Sequence, residues 1–336
     1  MSELKRDGVL VIADWDADGA VAAATIIYSQ KYSCIYPLKK CLDVDLRPSE
    51  PFGAFMSLGS TVCYDALAIL DIPVIKISYE YLRDYRSRCG GTRIIYVDHH
   101  MSTHKELHKF IDLVDEPLIG YTPTSKILYD KILLEGASRN PRLEKFVLTI
   151  YHMDQGLRVP PELRNIMRLL ASISKYMANR KDESLWIKVV EWLAPKYIHS
   201  SLDPDAIQKM ISLADELDKE LKIYANELAI SAQKIGLFKY VDTRRRWRRK
   251  GASSLASALY RIFRTPIIVL VSDPHEKDKV ILVIKYPGKA YKVAELLDKG
   301  KLIENIGGHP SLVVVKLRVD NLSKALNTLR SIRYID

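Results

Sequence analysis

Five apolar residues in a row, Val9 to Ala13, run straight into the alternating acids of Asp14-Trp15-Asp16-Ala17-Asp18. Gly19 and a stretch of small apolar residues, Ala20 to Ile27, follow. A short β-branched run reads as a strand buried on both faces, and small side chains suit a helix lying close against a sheet. Ala66 to Ile72 and Arg93 to Val97 repeat the strand signal, each meeting an acid near its end. Strand, polar tip and helix in alternation predict an α/β fold. The first domain is expected to be an open, mostly parallel sheet with helices on both faces and its site at the carboxyl ends of the strands.

From Thr124 the pattern turns helical. Pro123 stands ahead of Thr124 to Tyr129, Pro141 precedes a run to Tyr151, Pro160-Pro161 breaks the chain, and Trp186 to Leu193 is amphipathic. Between Pro204 and Ile235, Leu213, Leu217, Leu221, Tyr224 and Leu228 recur at steps of three and four, which predicts one long helix leading out of the first domain. That stripe is short, so packing within the chain is favoured over a coiled-coil dimer, and the oligomeric state stays open. Beyond Lys250 a second α/β pattern begins. Ser253 to Phe263, Val293 to Leu297 and Leu322 to Arg330 read as helices, and Ile267 to Val271, Val280 to Ile284 and Leu312 to Leu317 as strands. The expected organisation is a first domain over 1–200, a connecting helix over 201–245 and a smaller C-terminal α/β domain over 246–336.

Composition narrows the functional classes. The 336 residues suit roughly two domains of about 150 each. With 48% apolar and 27% charged residues, a largely disordered chain is excluded. A formal net charge of +10 favours acidic partners, nucleic acid or anionic metabolites. Cys34, Cys41, Cys63 and Cys89 have neither zinc-knuckle spacing nor the look of a disulfide framework, so reduced intracellular thiols are expected. No apolar run nears the roughly 20 residues that span a bilayer, and Val9 to Ala13 is too short for a signal peptide. A cytoplasmic protein with no membrane association is the expectation.

The acids carry the chemistry. Three carboxylates within five residues at a buried strand's end repel one another and are costly to desolvate, whereas divalent cations would reverse that sign. The bland alternative is a solvated acidic loop. Asp98-His99-His100 occupies the same kind of strand end and offers one hard ligand and two imidazoles. Asp71 is a third strand-terminal acid, and Asp154, in Tyr151 to Gly156, taken alone would be a helix-end carboxylate.

In this order, Asp14-Trp15-Asp16-Ala17-Asp18-Gly19, Asp71, Asp98-His99-His100 and Asp154 resemble the four motifs of the DHH phosphoesterase superfamily. Gly307-Gly308-His309-Pro310 is similar to the glycine-rich core of its associated substrate-binding domain, DHHA1. The resemblance implies a DHH domain followed by a DHHA1-like domain, and a centre of two divalent cations, Mn²⁺ or Mg²⁺. Asp16 and Asp18 would be ligands, with Asp14 the additional acid of the RecJ-like exonuclease branch. Asp71 would bridge the ions, and His99 would be a ligand. His100 would be a ligand or a contact to the phosphoryl oxygen, supported by Asp98, and Asp154 would complete the set. Ile12 stands where the pyrophosphatase and oligoribonuclease branches carry a histidine, which leans toward the exonuclease type. The second domain departs from the family pattern. Asn305-Ile306 precede the glycine pair, Ser311-Leu312-Val313 follow it, and Lys285 takes the place of a Ser-x-Arg-Ser-like strand.

The resemblance implies a metal-dependent exonuclease acting on single-stranded DNA or RNA, as in DNA repair. Its rivals are an oligoribonuclease, phosphoadenosine-phosphate or cyclic-dinucleotide phosphodiesterase, and a structural, replication-associated DHH protein. A helicase or a replication or repair protein would be a fitting partner. Two further features are read for substrate. Gly307-Gly308 would let backbone N–H groups approach a phosphate with His309 beside them, although a turn can need two glycines for geometry alone. Arg244-Arg245-Arg246-Trp247-Arg248-Arg249-Lys250 would follow a phosphate backbone while Trp247 stacks on a base. A solvated basic linker is the bland reading of that run.

Overall fold

A computed structural model describes residues 5–197, 202–247, 251–274 and 276–332. Its strands are β1 (Lys5–Ala13), β2 (Val44–Pro48), β3 (Cys63–Leu70), β4 (Arg93–Asp98), β5 (Glu116–Ile119), β6 (Gln233–Ile235), β7 (Phe238–Asp242), β8 (Ile267–Ser272), β9 (Lys279–Lys285), β10 (Asn305–His309) and β11 (Leu312–Arg318). The α-helices are α1 (Ala17–Ile27), α2 (Pro51–Leu58), α3 (Ser78–Arg88), α4 (Met101–Phe110), α5 (Thr124–Leu134), α6 (Pro141–Asp154), α7 (Arg164–Arg180), α8 (Glu183–Leu193), α9 (Pro204–Ala229), α10 (Ala252–Phe263), α11 (Ala290–Lys299) and α12 (Val319–Ser331). The chain divides into two compact units, one of residues 1–153 and 158–214 and the other of 154–157 and 215–336. The division falls within α9.

The first unit is built on a five-stranded sheet in the order β2-β1-β3-β4-β5, parallel throughout. Alternation along the strands feeds two separate cores. Val9, Val11, Ala13, Ala66, Ala68, Leu70, Ile95 and Val97 face the core that includes α1, α5, α6, α7 and α8. Leu10, Ile12, Leu67, Ile69, Ile94 and Tyr96 face the opposite core, lined by α2, α3 and α4. Burial on both sides is why these strands read as unbroken apolar runs. The chain winds outward in both directions from between β1 and β3. At that reversal of strand order the carboxyl ends leave a crevice, the usual place for a ligand in such sheets.

The second unit carries a six-stranded mixed sheet, β10-β11-β9-β8-β7-β6, in which only β7 and β8 run parallel. Ala225, Val241, Leu255, Leu259, Ile267, Val269 and Val283 belong to its core. Two expectations are corrected here. The long helix stops at Ala229 rather than Ile235, because Gln233–Ile235 is taken up as the edge strand β6 against β7. The cysteines are paired, Cys34 with Cys41 and Cys63 with Cys89. Spacing hid the second pair because the β3–α3 crossover brings Cys63, at the start of β3, to Cys89, just past the end of α3, with their Cα atoms 5.3 Å apart. None of the helices in the described residues is long and apolar enough to cross a membrane.

Candidate metal centre

Five carboxylates and two imidazoles converge where β1, β3 and β4 end. Asp14 follows β1, and its N–H donates to Leu70 O at 3.2 Å; Asp71 follows β3, and its N–H donates to Val97 O at 2.9 Å. These bonds fix both acids to the sheet edge. Asp16 caps α1, its Oδ1 accepting from the N–H groups of Asp18 and Gly19 at 2.8 and 3.0 Å. A capping role accounts for one oxygen of Asp16 and turns its neighbours toward the crevice. Gly19 is required for close approach, since a Cβ there would lie 2.3 Å from Asp14 O. Gly19→Ala should therefore push α1 off the acidic loop, costing about 1–3 kcal/mol of stability and at least tenfold in Mn²⁺ affinity. Urea melts and titration calorimetry would check both.

The ligand atoms of Asp71, His99 and His100 lie within 4.8 Å of one another, and so do those of Asp14, Asp16 and Asp71. Asp71 belongs to both groups. His99 Nε2 is 3.3 Å from Asp71 Oδ1 and 3.8 Å from Asp18 Oδ2. His100 Nδ1 is 3.9 Å from Asp71 Oδ1 and 2.7 Å from Asp98 Oδ1. Asp98 is wholly buried and accepts from Thr103 Oγ1 with its other oxygen, so it orients His100. Asp71 holds a left-handed backbone, φ +60°, a conformation aspartate tolerates better than most residues but one that still carries strain.

The electrostatics run against leaving these acids bare. Burial, with Asp16 alongside, lifts Asp14 to about 7. Burial, with Asp71 alongside, lifts Asp16 to about 6 and pushes Asp18 well above the carboxylate range. Asp71 rises to about 7, mainly from burial, with Asp98 and Asp14 adding to it and His100 opposing. Burial opposes charge on both His100 and Asp98, yet their mutual attraction wins. It raises His100 to about 10 and holds Asp98 below the usual range. Such a concentration of negative charge in a buried pocket is relieved by cations, and carboxylates with two imidazoles are consistent with a divalent cation.

Several residues of the site were not singled out from sequence. Thr124 and Ser125, the first residues of α5, donate their N–H groups to Asp18 Oδ2 and Oδ1 at 2.8 and 3.0 Å, and Thr124 Oγ1 reaches Asp71 Oδ1 at 2.9 Å. A helix start aimed at a carboxylate is electrostatically favourable. Pro123-Thr124 marked that helix start but not its target. Lys181, left-handed at the end of α7, lies 5.3 Å over the Trp15 ring and pairs with Glu50 at 2.8 Å. Its charge pulls against the rise at Asp14.

In the second unit, Gly307, Gly308 and His309 lie on β10, opposite β11. Gly308 has φ +93°, and a Cβ there would come within 2.3 Å of Leu312 O, whereas around Gly307 the space is open. His309 Nδ1 meets Asp154 Oδ1 at 2.8 Å. Asp154, the last residue of α6, is in neither of the two ligand groups. Lys285 ends β9, and burial lowers its pKa while Asp154 opposes that. Trp247, expected at the surface, is 9% exposed and packs edge-on against Tyr224 in the core. Arg244 is held by Asp242 at 2.6 Å, Arg245 and Arg246 are exposed, and Arg248 and Arg249 lie outside the described residues.

No protein-family model matches the sequence, and no curated protein matches it. Solved structures do. The chain is similar to the DHH domain of a member of a ribosomal-protein family, with a TM-score of 0.60 and 13% identity over 98% of this chain and 88% of that one. It is similar to the pGpG-specific phosphodiesterase PggH from Vibrio cholerae, with a TM-score of 0.54 and 14% identity over 96% of this chain and 98% of that one. The chain has the DHH/DHHA1 superfamily fold. The exonuclease RecJ bound to manganese matches with a TM-score of 0.50 and 10% identity over 96% of this chain and 89% of that one. At such identities the DHH/DHHA1 likeness is one of fold, and the chemistry rests on the Asp/His cluster itself.

Proposed function

We propose that this chain is a divalent-metal-dependent phosphodiesterase that removes nucleotides from the end of single-stranded DNA or RNA. The observation that carries the reading is Asp71, one carboxylate common to two adjacent donor groups, as two neighbouring cations would require. Asp14, Asp16 and Asp71 would hold one ion and Asp71, His99 and His100 the other, with Asp18 beside them. Two such ions, Mn²⁺ or Mg²⁺, would activate a water and neutralise charge on the phosphate in an in-line displacement. His100, oriented by Asp98 through Nδ1, would use its second nitrogen to donate to a phosphoryl oxygen when it is not itself a ligand. Asp98 and Thr103 hold that imidazole in one orientation, and Thr124 and Ser125 hold Asp18 and Asp71. The glycine strand with His309, and Lys285, are proposed to grip substrate phosphate.

A second reading is hydrolysis of dinucleotides. Burial of Trp247 and the pairing of Arg244 with Asp242 take two contacts from the basic run that a long strand would follow. The likeness to a pGpG-specific phosphodiesterase points the same way. Turnover with Mn²⁺ on an end-labelled 20-mer and on a dinucleotide separates the two. The exonuclease reading expects successive mononucleotides from the 20-mer, and cleavage of the dinucleotide alone would replace it with the second. Hydrolysis of neither substrate with any divalent cation would leave the structural, replication-associated role.

A further inference from the structure

Beside the acidic loop stands a lysine that the proposed chemistry leaves unused. The loop is tied to α7 by Ser174, whose Oγ accepts the Ala17 N–H at 2.9 Å. About two helical turns further on, α7 ends at Lys181, whose N–H donates to Met177 O at 3.0 Å. Asp182 then caps α8 by accepting the Leu185 N–H at 3.0 Å. The Lys181 backbone is thus held from both sides, while its side chain is 36% exposed. The ammonium lies 5.3 Å from the centroid of the Trp15 ring, the residue between Asp14 and Asp16. Its charge is felt at Asp14, against the burial that raises that acid.

The anion that pairs with it is Glu50, with Oε1 2.8 Å from Lys181 Nζ. Glu50 is the N-cap residue of α2, and the N–H of Ser49 before it donates to Ala13 O, at the end of β1, at 2.8 Å. Lysine and glutamate therefore meet beside the strand end from which the acidic loop departs. The Glu50 side chain is 64% exposed. An ion pair so open to water shifts an equilibrium by a factor of at most about five. A charged hydrogen bond to a phosphate oxygen is worth on the order of ten- to a hundredfold. The phosphate wins that competition. Because the ammonium rests on Trp15 and Glu50 rather than on an acid of the cluster, it is placed for a phosphate one step along the strand from the one being cleaved.

We propose that Lys181 exchanges Glu50 for the substrate phosphate that flanks the scissile one, which makes it a specificity-determining contact for substrates with more than one phosphate. This rests on the phosphodiesterase reading and names a further contact of that same site.

The test crosses a change in the protein with a change in the substrate. Lys181→Met keeps the aliphatic stem over Trp15 and removes the charge. A neutral methylphosphonate at the second linkage from both ends of a short end-labelled strand removes the flanking charge whichever end is attacked. With Mn²⁺, the neutral linkage should cost wild type and Lys181→Arg about tenfold in kcat/KM for release of the terminal nucleotide, mostly through KM. Lys181→Met should be about tenfold slower on the all-phosphate strand and lose nothing further from the neutral linkage. Both strands present the same terminal phosphate to the metal centre, so a change in metal affinity cancels in their ratio. A tenfold cost that persists in Lys181→Met, or no cost in wild type, would overturn the proposal. Should wild type hydrolyse neither strand, fluorescence anisotropy with Mn²⁺ over a salt series decides. Lys181→Met should then flatten the slope of log affinity against log salt by about 0.7 on the all-phosphate strand and leave it unchanged on the neutralised one. In that event the phosphodiesterase reading fails while the phosphate contact stands. Equal slopes for wild type and variant on the all-phosphate strand remove the contact as well.

Discussion

Replacing Asp71 with Asn should lower phosphodiester hydrolysis by at least about a thousandfold and weaken Mn²⁺ binding at both positions together. Asparagine keeps the shape of the side chain, tolerates the left-handed backbone, and can still accept from Thr124 Oγ1. What is removed is one negative charge from the carboxylate common to both donor groups. The metal-free variant should therefore melt at a higher temperature than wild type, because a source of repulsion on Asp14, Asp16 and Asp18 has gone. Lower activity with higher intrinsic stability separates a ligand from a folding residue. If Asp71→Asn keeps activity within tenfold, or if only one of two bound ions is weakened, the shared-ligand arrangement is wrong.

Without divalent metal the wild-type protein should lose stability as pH rises from 5 to 8, and Mn²⁺ should reverse the loss. Asp14, Asp16 and Asp71 hold protons up to about pH 6–7 when folded, mainly through burial, whereas an unfolded aspartate releases its proton near 3.9. Between those values the folded state binds more protons, so its advantage falls with rising pH. His100 works in the same direction. Raised to about 10 against an ordinary 6.5, it contributes fully below 6.5 and loses that contribution toward 10. Asp98, held low, contributes above its unfolded value and matters only below about pH 4. The expected signature is a melting temperature several degrees lower at pH 8 than at pH 5 in chelator. At pH 8, Mn²⁺ at about 100 times its dissociation constant should restore about 2.7 kcal/mol per site. Binding should also release protons, read as a buffer-dependent calorimetric heat. A metal-free protein that becomes more stable toward pH 8 would contradict the buried repulsion.

The parts of the fold that were legible in the sequence are those whose signal is local. Val9–Ala13 reads as a strand because both of its faces are buried, and the acids after it mark a crevice because apolar strands seldom end in three carboxylates. β2 and β5 were missed because they are edge strands, half-buried and only five and four residues long, with Pro48 and Pro117 in them. The acids and histidines at strand ends could be named one by one, but the donors that hold them could not. Thr124 reaches Asp71 from 53 residues away, a pairing that depends on how α5 packs under β5 rather than on any spacing. Trp247 misled for the converse reason. A basic run suggests a solvated surface, yet Thr243 O accepts from the Trp247 N–H at 2.8 Å and the turn carries the indole inward. The cysteine pairs were likewise set by a crossover and a loop, which spacing does not encode.

The left-handed backbone at Asp71 also bears on how this lineage can change. Most side chains are unwelcome in that conformation, so descent through this codon is steered toward asparagine and glycine. An aspartate codon becomes an asparagine codon by a single base change, and the product keeps its architecture. On the proposed reading, a gene of this kind would stand one mutation away from encoding an intact but inert scaffold. Paralogues that carry asparagine there would mark the point where chemistry was given up and shape was kept.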